Sequence, residues 1–353
     1  MDINPYLKLM VEKDASDIFF SVASPIRIKA GGKIIIVGKN VLTEEVMQTI
    51  AQKIMTAEQW ACFEKELEID FAITLAEANA RFRVNAFKQQ GVISMVMRYI
   101  KSQVPSLDEL NLPPILKEVI MRKRGLLLMV GATGSGKSTT LAAMINHRNE
   151  RQAGHILTIE DPIEFIHPHK KSVVNQRELG IDTRSYLRAL RSAMREAPDV
   201  ILIGEIRDQE TMASSLELSN TGHLAISTLH ANNAYQAMQR VINMFSQEQH
   251  KQLFMDLSLN LVSVISQRLV IAVNGKRAAA VEVMINTPHI ADLILKGKID
   301  EIKEAMSSSG AEGMQTFDMA LFNLYKAGAV TLEEALANAD SRTNLESRIT
   351  FNR

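Results

Sequence analysis

The strongest chemical signal in the chain is the run GLLLMVGATGSGKST at residues 125–139. Gly131, Gly134 and Gly136 followed directly by Lys137, Ser138 and Thr139 form the full pattern of a phosphate-binding loop. Glycine lets consecutive backbone N–H groups turn inward around phosphate oxygens, and a helix starting at the end of the loop offers its positive pole to the same anion. Lys137 adds a charge within reach of the β- and γ-phosphates, and the Ser138 hydroxyl suits a Mg ligand. With Ala132, Thr133 and Ser135 completing the loop, residues 131–139 become the candidate ATP-binding stretch, and ATP and Mg the expected cofactors. A glycine-rich turn made for topology alone is the competing explanation. It is disfavoured because a buried-type strand precedes the loop and the helix-prone Leu141 to Asn146 follows it. A dinucleotide loop would need a third glycine at position 139, which is Thr139.

Further polar clusters fall where an open α/β sheet would gather its site, beyond the carboxyl ends of its strands. Glu160, Asp161 and Glu164 follow one apolar run, Glu205, Arg207 and Asp208 another, and His230 a third. Asp199 to Glu205 resembles a Walker B strand, with Glu205 where aspartate is usual, so Ser138 and Glu205 are the candidate metal residues. An acid at a strand end is by itself more often merely solvated; beside a phosphate loop the functional reading gains weight.

The elements that must position these groups are legible as alternating patterns. From Arg124 onward, five short apolar runs alternate with helical stretches: Leu126 to Val130, His155 to Ile159, Val200 to Ile203, Leu224 to Thr228 and Leu269 to Val273. That is the pattern of parallel βαβ units, and the last hundred or so residues read as helical. The first hundred mix strand and helix. Ile26 to Lys29 and Lys33 to Val37 flank Gly31-Gly32, a hairpin signal, Glu44 to Glu66 is helix-like, and Asp70 to Thr74, Arg81 to Phe87 and Val92 to Ile100 read as strands. The stretch KSQVPSLDELNLPP concentrates prolines and polar residues, which places domains at 1–100 and 115–353 with a linker at 101–114. Arg184, Arg188, Arg191 and Arg195 recur at helical spacing on an expected helix from Thr183 to Ala197, more readily a solvated face than a subunit contact. The polar stretch Ser341 to Arg353 reads as a flexible tail.

Composition narrows the functional classes. The chain has 353 residues, 46% hydrophobic and 23% charged, as in a globular protein of two or three domains. Lysine plus arginine balances aspartate plus glutamate at 40 each, so no overall footprint for nucleic acid exists and a DNA-translocating reading is disfavoured. Cys62, the single cysteine, fits a reducing compartment. No signal-peptide pattern opens the chain, and no apolar stretch approaches the roughly 18 residues that would span a bilayer. The expected location is cytoplasmic, with membrane contact through partners.

Several segments together resemble the secretion ATPase superfamily, and within it the PilT/PilU family of type IV pilus retraction ATPases. They are GATGSGKST, TIEDPIEF at Thr158 to Phe165, DVILIGEIRD at Asp199 to Asp208, TGHLAISTLHANNA at Thr221 to Ala234, and RFRVNAF at Arg81 to Phe87. The resemblance implies an α/β fold: a RecA-like P-loop ATPase core with a smaller N-terminal α+β, PAS-like domain. It implies that Glu164 activates the attacking water, that Glu205 supports Mg, and that His230 senses the γ-phosphate. It also implies a homohexamer in which Arg81, Arg83 and Arg98 close on nucleotide, and in which hydrolysis shifts the two domains to drive pilus retraction and twitching motility. Implied partners are the inner-membrane pilus platform protein and a paralogous retraction ATPase. One segment departs from the family: retraction motors carry an AIRNLIRE-like sequence, where this chain has His289-Ile-Ala-Asp-Leu-Ile-Leu-Lys296. Ala291 and Asp292 replace the expected arginine and asparagine, which favours the PilU side of the family, the accessory paralogue. A nucleotide-binding subunit that assists an active motor stays open as an alternative. Extension and secretion relatives usually carry a tetracysteine zinc module, which one cysteine excludes.

Overall fold

The computed structural model describes residues 1–78, 80–100 and 103–351, and it divides into two compact units. Unit 1 comprises Met1–Gln103 with Glu164–Ile166; unit 2 comprises Val104–Ile163 and His167–Arg353. Of the proline-bearing stretch at 101–114, Lys101 and Ser102 lie outside the described residues. Leu107 and Leu112 of the same stretch are buried in the core of unit 2.

Unit 1 runs α1 (Asn4–Glu12), β1 (Asp17–Ser21), β2 (Pro25–Ala30), β3 (Lys33–Val41), α2 (Glu44–Ile54), α3 (Ala57–Glu66), β4 (Glu68–Leu75), β5 (Ala80–Gln89) and β6 (Val92–Ile100). The strands form an antiparallel sheet in the order β3-β2-β1-β6-β5-β4. Its alternation is clean in β5, where Phe82, Val84 and Ala86 are buried and Arg81, Arg83 and Asn85 point the other way. Leu7 and Met10 of α1 and Met47 and Ile50 of α2 join the apolar face in one core. The β2–β3 hairpin closes through Gly31 and Gly32, whose φ of 56° and 78° is the left-handed geometry a two-residue turn requires. The single helix expected over Glu44 to Glu66 is instead two. Met55 is extended, and Thr56 starts a new helix through a reciprocal capping box with Gln59.

Unit 2 continues with α4 (Ile115–Val119), β7 (Gly125–Val130), α5 (Lys137–Arg151), β8 (Gly154–Glu160), β9 (Ser172–Glu178), α6 (Tyr186–Ala193), β10 (Val200–Ile203), α7 (Gln209–Asn220), β11 (Leu224–Leu229), α8 (Ala234–Asn243) and α9 (His250–Asn260). It ends with β12 (Leu261–Ile271), β13 (Arg277–Ile285), α10 (Pro288–Leu295), α11 (Ile302–Ser308), α12 (Phe317–Lys326), α13 (Leu332–Ala337) and α14 (Arg342–Phe351). The sheet order is β13-β12-β7-β11-β10-β8-β9, parallel throughout except for the β12–β13 pair. Both faces are covered by helices, as a parallel sheet demands: Leu126, Leu128 and Val130 of β7 enter one core, while Leu127 and Met129 enter the other.

Three expectations for this unit are corrected. The region after residue 260 is not simply helical, because β12 and β13 form a long hairpin; the run placed at Leu269 to Val273 catches only the end of β12. The helix expected from Thr183 to Ala197 spans only Tyr186–Ala193, with Ser185 capping it, and Arg184, Arg188, Arg191 and Arg195 are exposed. The tail is not flexible over its described length. Leu345 and Ile349 of α14 are buried against Phe317 and Leu321, and only Asn352 and Arg353 of that stretch lie outside the described residues.

Candidate nucleotide site

Parallel register brings the predicted residues of unit 2 to one edge of the sheet. Val130 pairs with Leu229, and Ile203 pairs with both Ser227 and Ile159, so four adjacent strands β7, β11, β10 and β8 end level. The phosphate loop leaves the first, His230 the second, Glu205 the third, and Glu160 with Asp161 ends and follows the fourth. At ~4.8 Å per strand, groups carried by the loops of these four ends share one ligand-sized zone.

The loop's glycines each have a physical reason. A Cβ at Gly131 would meet Ser135 Oγ at 2.5 Å and the Gln267 carbonyl at 2.6 Å, and one at Gly136 would meet Gln267 Nε2 at 2.7 Å. Gly134, with a φ of 78°, faces open space, so its main chain is accessible to a ligand. Lys137 Nζ donates to the carbonyls of Gly131 and Ala132 at 2.8 and 2.9 Å, which folds the ammonium over the loop. Ser135 Oγ is buried without a hydrogen-bond partner among the described residues, an acceptor and donor set inside the turn. Beside the loop lies a cavity of about 460 Å³, shared by Thr133, Gly134, Asn232, Arg268, Ile271 and Asn338 among others. A cradle of amides with an ammonium, next to a cavity of this size, fits a nucleoside triphosphate, and the half-buried Ser138 and Thr139 hydroxyls stand at the start of α5 where a phosphate-bound Mg would be met.

Around the Walker B end a charged cluster assembles. Arg207 Nε donates to Glu205 Oε2 at 2.7 Å, His230 Nε2 lies 3.2 Å from Glu205 Oε1, and Arg207 Nη1 approaches Asp161 Oδ2 at 3.9 Å. The Glu205 carboxylate raises the already high pKa of Arg207, whereas burial and then Asp161 push the Tyr186 phenol up and keep it neutral. Gly204 permits this packing, since a Cβ there would meet Tyr186 Oη at 2.7 Å and the Glu160 Cα at 3.2 Å. Thr158 Oγ1 donates to Glu160 at 2.7 Å. Asp208, grouped with the chemistry by sequence, instead caps α7 by accepting from Thr211 N at 2.8 Å.

Residues of unit 1 stand as follows. Arg83 and Arg98 are opposite each other on β5 and β6, with Arg83 Nη2 at 3.3 Å from Asp70 and Arg98 Nε at 2.9 Å from Asp17. Arg81 lies two residues along β5, its Nε buried without a hydrogen-bond partner among the described residues. Glu164 is exposed and belongs to the segment grouped with this unit.

Sequence reasoning missed the residues that brace the loop from behind. Gln267 on β12, 3% exposed, accepts from Thr140 Oγ1 at 2.7 Å and donates to the Ser135 carbonyl at 2.9 Å. Arg268 Nη2 donates to the Asn232 carbonyl at 3.1 Å and to Asp340 at 2.6 Å, and its guanidinium lies 4.0 Å over the Phe317 ring. Glu282, its pKa raised by burial, accepts from Ala234 N at 2.7 Å and Ser266 Oγ at 3.0 Å, and so anchors the start of α8 behind His230. The available signal was polar residues inside the apolar run Leu261–Ile271, which a buried strand retains only when they are hydrogen-bonded.

Comparison with known proteins agrees with this architecture. The model for the type II/IV secretion system protein family matches residues 1–334. The type IV pilus ATPase PilU of Pseudomonas aeruginosa is 48% identical over 350 residues, covering 99% of this chain and 91% of that protein. The type IV pilus retraction ATPase PilT of the same organism is 42% identical over 339 residues, 96% of this chain and 98% of that one. The crystal structure of the pilus retraction motor PilT with bound ADP superposes with a TM-score of 0.91 at 38% identity, covering 98% and 99% of the two chains. A chain whose family match spans both units, and whose identity to PilU exceeds that to PilT, belongs to the type II/IV secretion system protein family and, within it, to the PilT/PilU group.

Proposed function

We propose that the chain is a Mg-ATP-hydrolysing motor of type IV pilus retraction and twitching motility, working as a cytoplasmic ring hexamer. The observation that carries the reading is the level ending of β7, β11, β10 and β8, which gathers the phosphate loop, His230, Glu205 and Asp161 at one sheet edge. Residues 131–139 hold the triphosphate, with Lys137 on its terminal phosphates. Ser138 and Glu205 hold Mg, which when bound neutralises charge on the phosphate oxygens. Glu164 activates the attacking water, and His230, seated on Glu205, senses the terminal phosphate. Arg81, Arg83 and Arg98 close on nucleotide and stabilise the developing charge through their planar forks. The boundary between domains 1–100 and 115–353 falls within residues 101–114, of which Leu107 and Leu112 pack into the core of unit 2. Association with the inner membrane runs through a pilus platform protein, and a paralogous retraction ATPase is the second partner.

A second reading, that of an accessory subunit acting with a paralogous motor, is favoured by one observation. On α10 the departing segment places Asp292 in an i,i+4 ion pair with Lys296 at 2.7 Å, where the retraction-motor pattern has asparagine. ATPase measurement on the purified protein alone separates the two: turnover at motor-like rates, on the order of one per second or faster, supports the first, and nucleotide binding without turnover the second. Mass measurement with and without a non-hydrolysable ATP analogue tests the ring. A monomer under both conditions would remove the hexamer.

A further inference from the structure

Asp17 has no place in the site described so far, yet its surroundings are unusual for a carboxylate. It sits on β1, central in its sheet, and is 6% exposed. Both oxygens are engaged: Oδ1 accepts from Arg98 Nε at 2.9 Å and Oδ2 from Ser16 Oγ at 2.8 Å. Register places four charged residues in one row across the strands, Arg83 opposite Arg98, Arg98 opposite Asp17, and Asp17 opposite Lys29. Three cations in one row repel one another, and the buried carboxylate between two of them offsets that repulsion.

The geometry of the pair is specific. Asp17 grips the Nε edge of the guanidinium, while the Arg98 side chain remains 68% exposed. An arginine held by Nε keeps a fixed plane and direction, and its two terminal nitrogens stay available as a fork for phosphate oxygens. Burying a carboxylate costs desolvation that one largely exposed partner offsets only in part, so the pair is a poor source of stability and a good source of orientation.

We propose that Asp17 is a positioning residue that aims Arg98 at the phosphates of the nucleotide. This rests on the reading that Arg98 closes on nucleotide. Without Asp17 the guanidinium samples many rotamers, and its alignment with the developing charge is lost for much of the time.

The test is a double-mutant cycle in the full-length chain, reading kcat and KM for Mg-ATP beside the thermal midpoint. Arg98→Ala is expected to lower kcat. Asp17→Asn is expected to lower kcat by about ten- to a hundredfold, with a smaller change in KM, and to have no further effect in the Arg98→Ala background. Full turnover of Arg98→Ala would remove the underlying reading of Arg98. Impaired Arg98→Ala with unimpaired Asp17→Asn would overturn the positioning role alone. An equal fold-loss from Asp17→Asn in both backgrounds would assign Asp17 to structure and likewise overturn it. If Asp17→Asn does not fold, Asp17→Glu decides, because it keeps the charge but displaces the carboxylate by one methylene from the Nε–H it holds; full kcat in that variant refutes the tether, and a loss within the same range that vanishes in the Arg98→Ala background supports it.

Discussion

The Thr140 hydroxyl donates to the side-chain oxygen of Gln267 at 2.7 Å across 127 residues of sequence. The amide nitrogen of Gln267 donates in turn to the Ser135 carbonyl at 2.9 Å, so one side chain on β12 clamps the phosphate loop on both sides of Lys137. Replacing Gln267 with Ala leaves two buried polar groups unsatisfied, at a cost of about 1–3 kcal/mol. Since the loop is what those bonds hold, affinity for a fluorescent ATP analogue should fall roughly ten- to a hundredfold. Unchanged affinity in that titration would remove the clamp from the account.

Binding and turnover should separate cleanly between two other residues. Lys137→Ala removes the ammonium folded over Gly131 and Ala132, so nucleotide affinity itself should collapse. Glu164→Gln keeps side-chain volume and removes the proposed base, so binding should persist while kcat falls by roughly 10²–10⁴. Equal turnover in the Glu164 variant would cancel its assignment as the water-activating carboxylate.

The proposed metal role of Glu205, whose carboxylate is shared between Arg207 and His230, makes metal dependence a direct test. Chelation of Mg should stop hydrolysis, and Glu205→Ala should raise the Mg concentration needed for half-maximal turnover. The loss should be chiefly functional, because Arg207, the cation left without its carboxylate, is largely exposed and can be solvated. A Mg titration curve identical to that of the parent chain would refute the assignment.

Acid sensitivity has a definite source in His167. Burial pulls its pKa down from the ordinary histidine value to about 4, because the charged form would lose its water. The folded state therefore binds this proton less tightly than the unfolded chain does. Stability from this group is fully present above pH ~6.5 and is lost as pH falls towards about 4, by about 3 kcal/mol in total. His167→Phe should flatten that part of the decline. Denaturant melts at pH 7 and pH 4.5 on both chains measure it, and parallel declines would exclude His167 as the source.

Much of the fold was legible because its signals are local. Gly31-Gly32 between two β-rich runs defines a hairpin wherever it occurs, and a strand that must be buried on both faces is apolar at every position, as in Leu126 to Val130. The elements that escaped lack such signals. Strand β9 alternates buried and exposed residues at the sheet's edge and carries Asn175, Gln176 and Arg177, so it resembles a polar loop. The final helix α14 has only Leu345 and Ile349 buried, too few apolar positions to announce a helical period.

The sequence by itself determined where the phosphate-loop pattern lies and which acids and histidine follow three strand ends. In each case residue type and spacing are sufficient, because the loop is built from neighbours in the chain. Only the tertiary structure decided that Gln267 braces the loop, that Glu282 anchors the helix behind His230, and that Asp17 tethers Arg98. Their partners lie tens of residues or more away, and whether a buried polar group braces a site or merely satisfies itself depends on which strands the fold sets side by side.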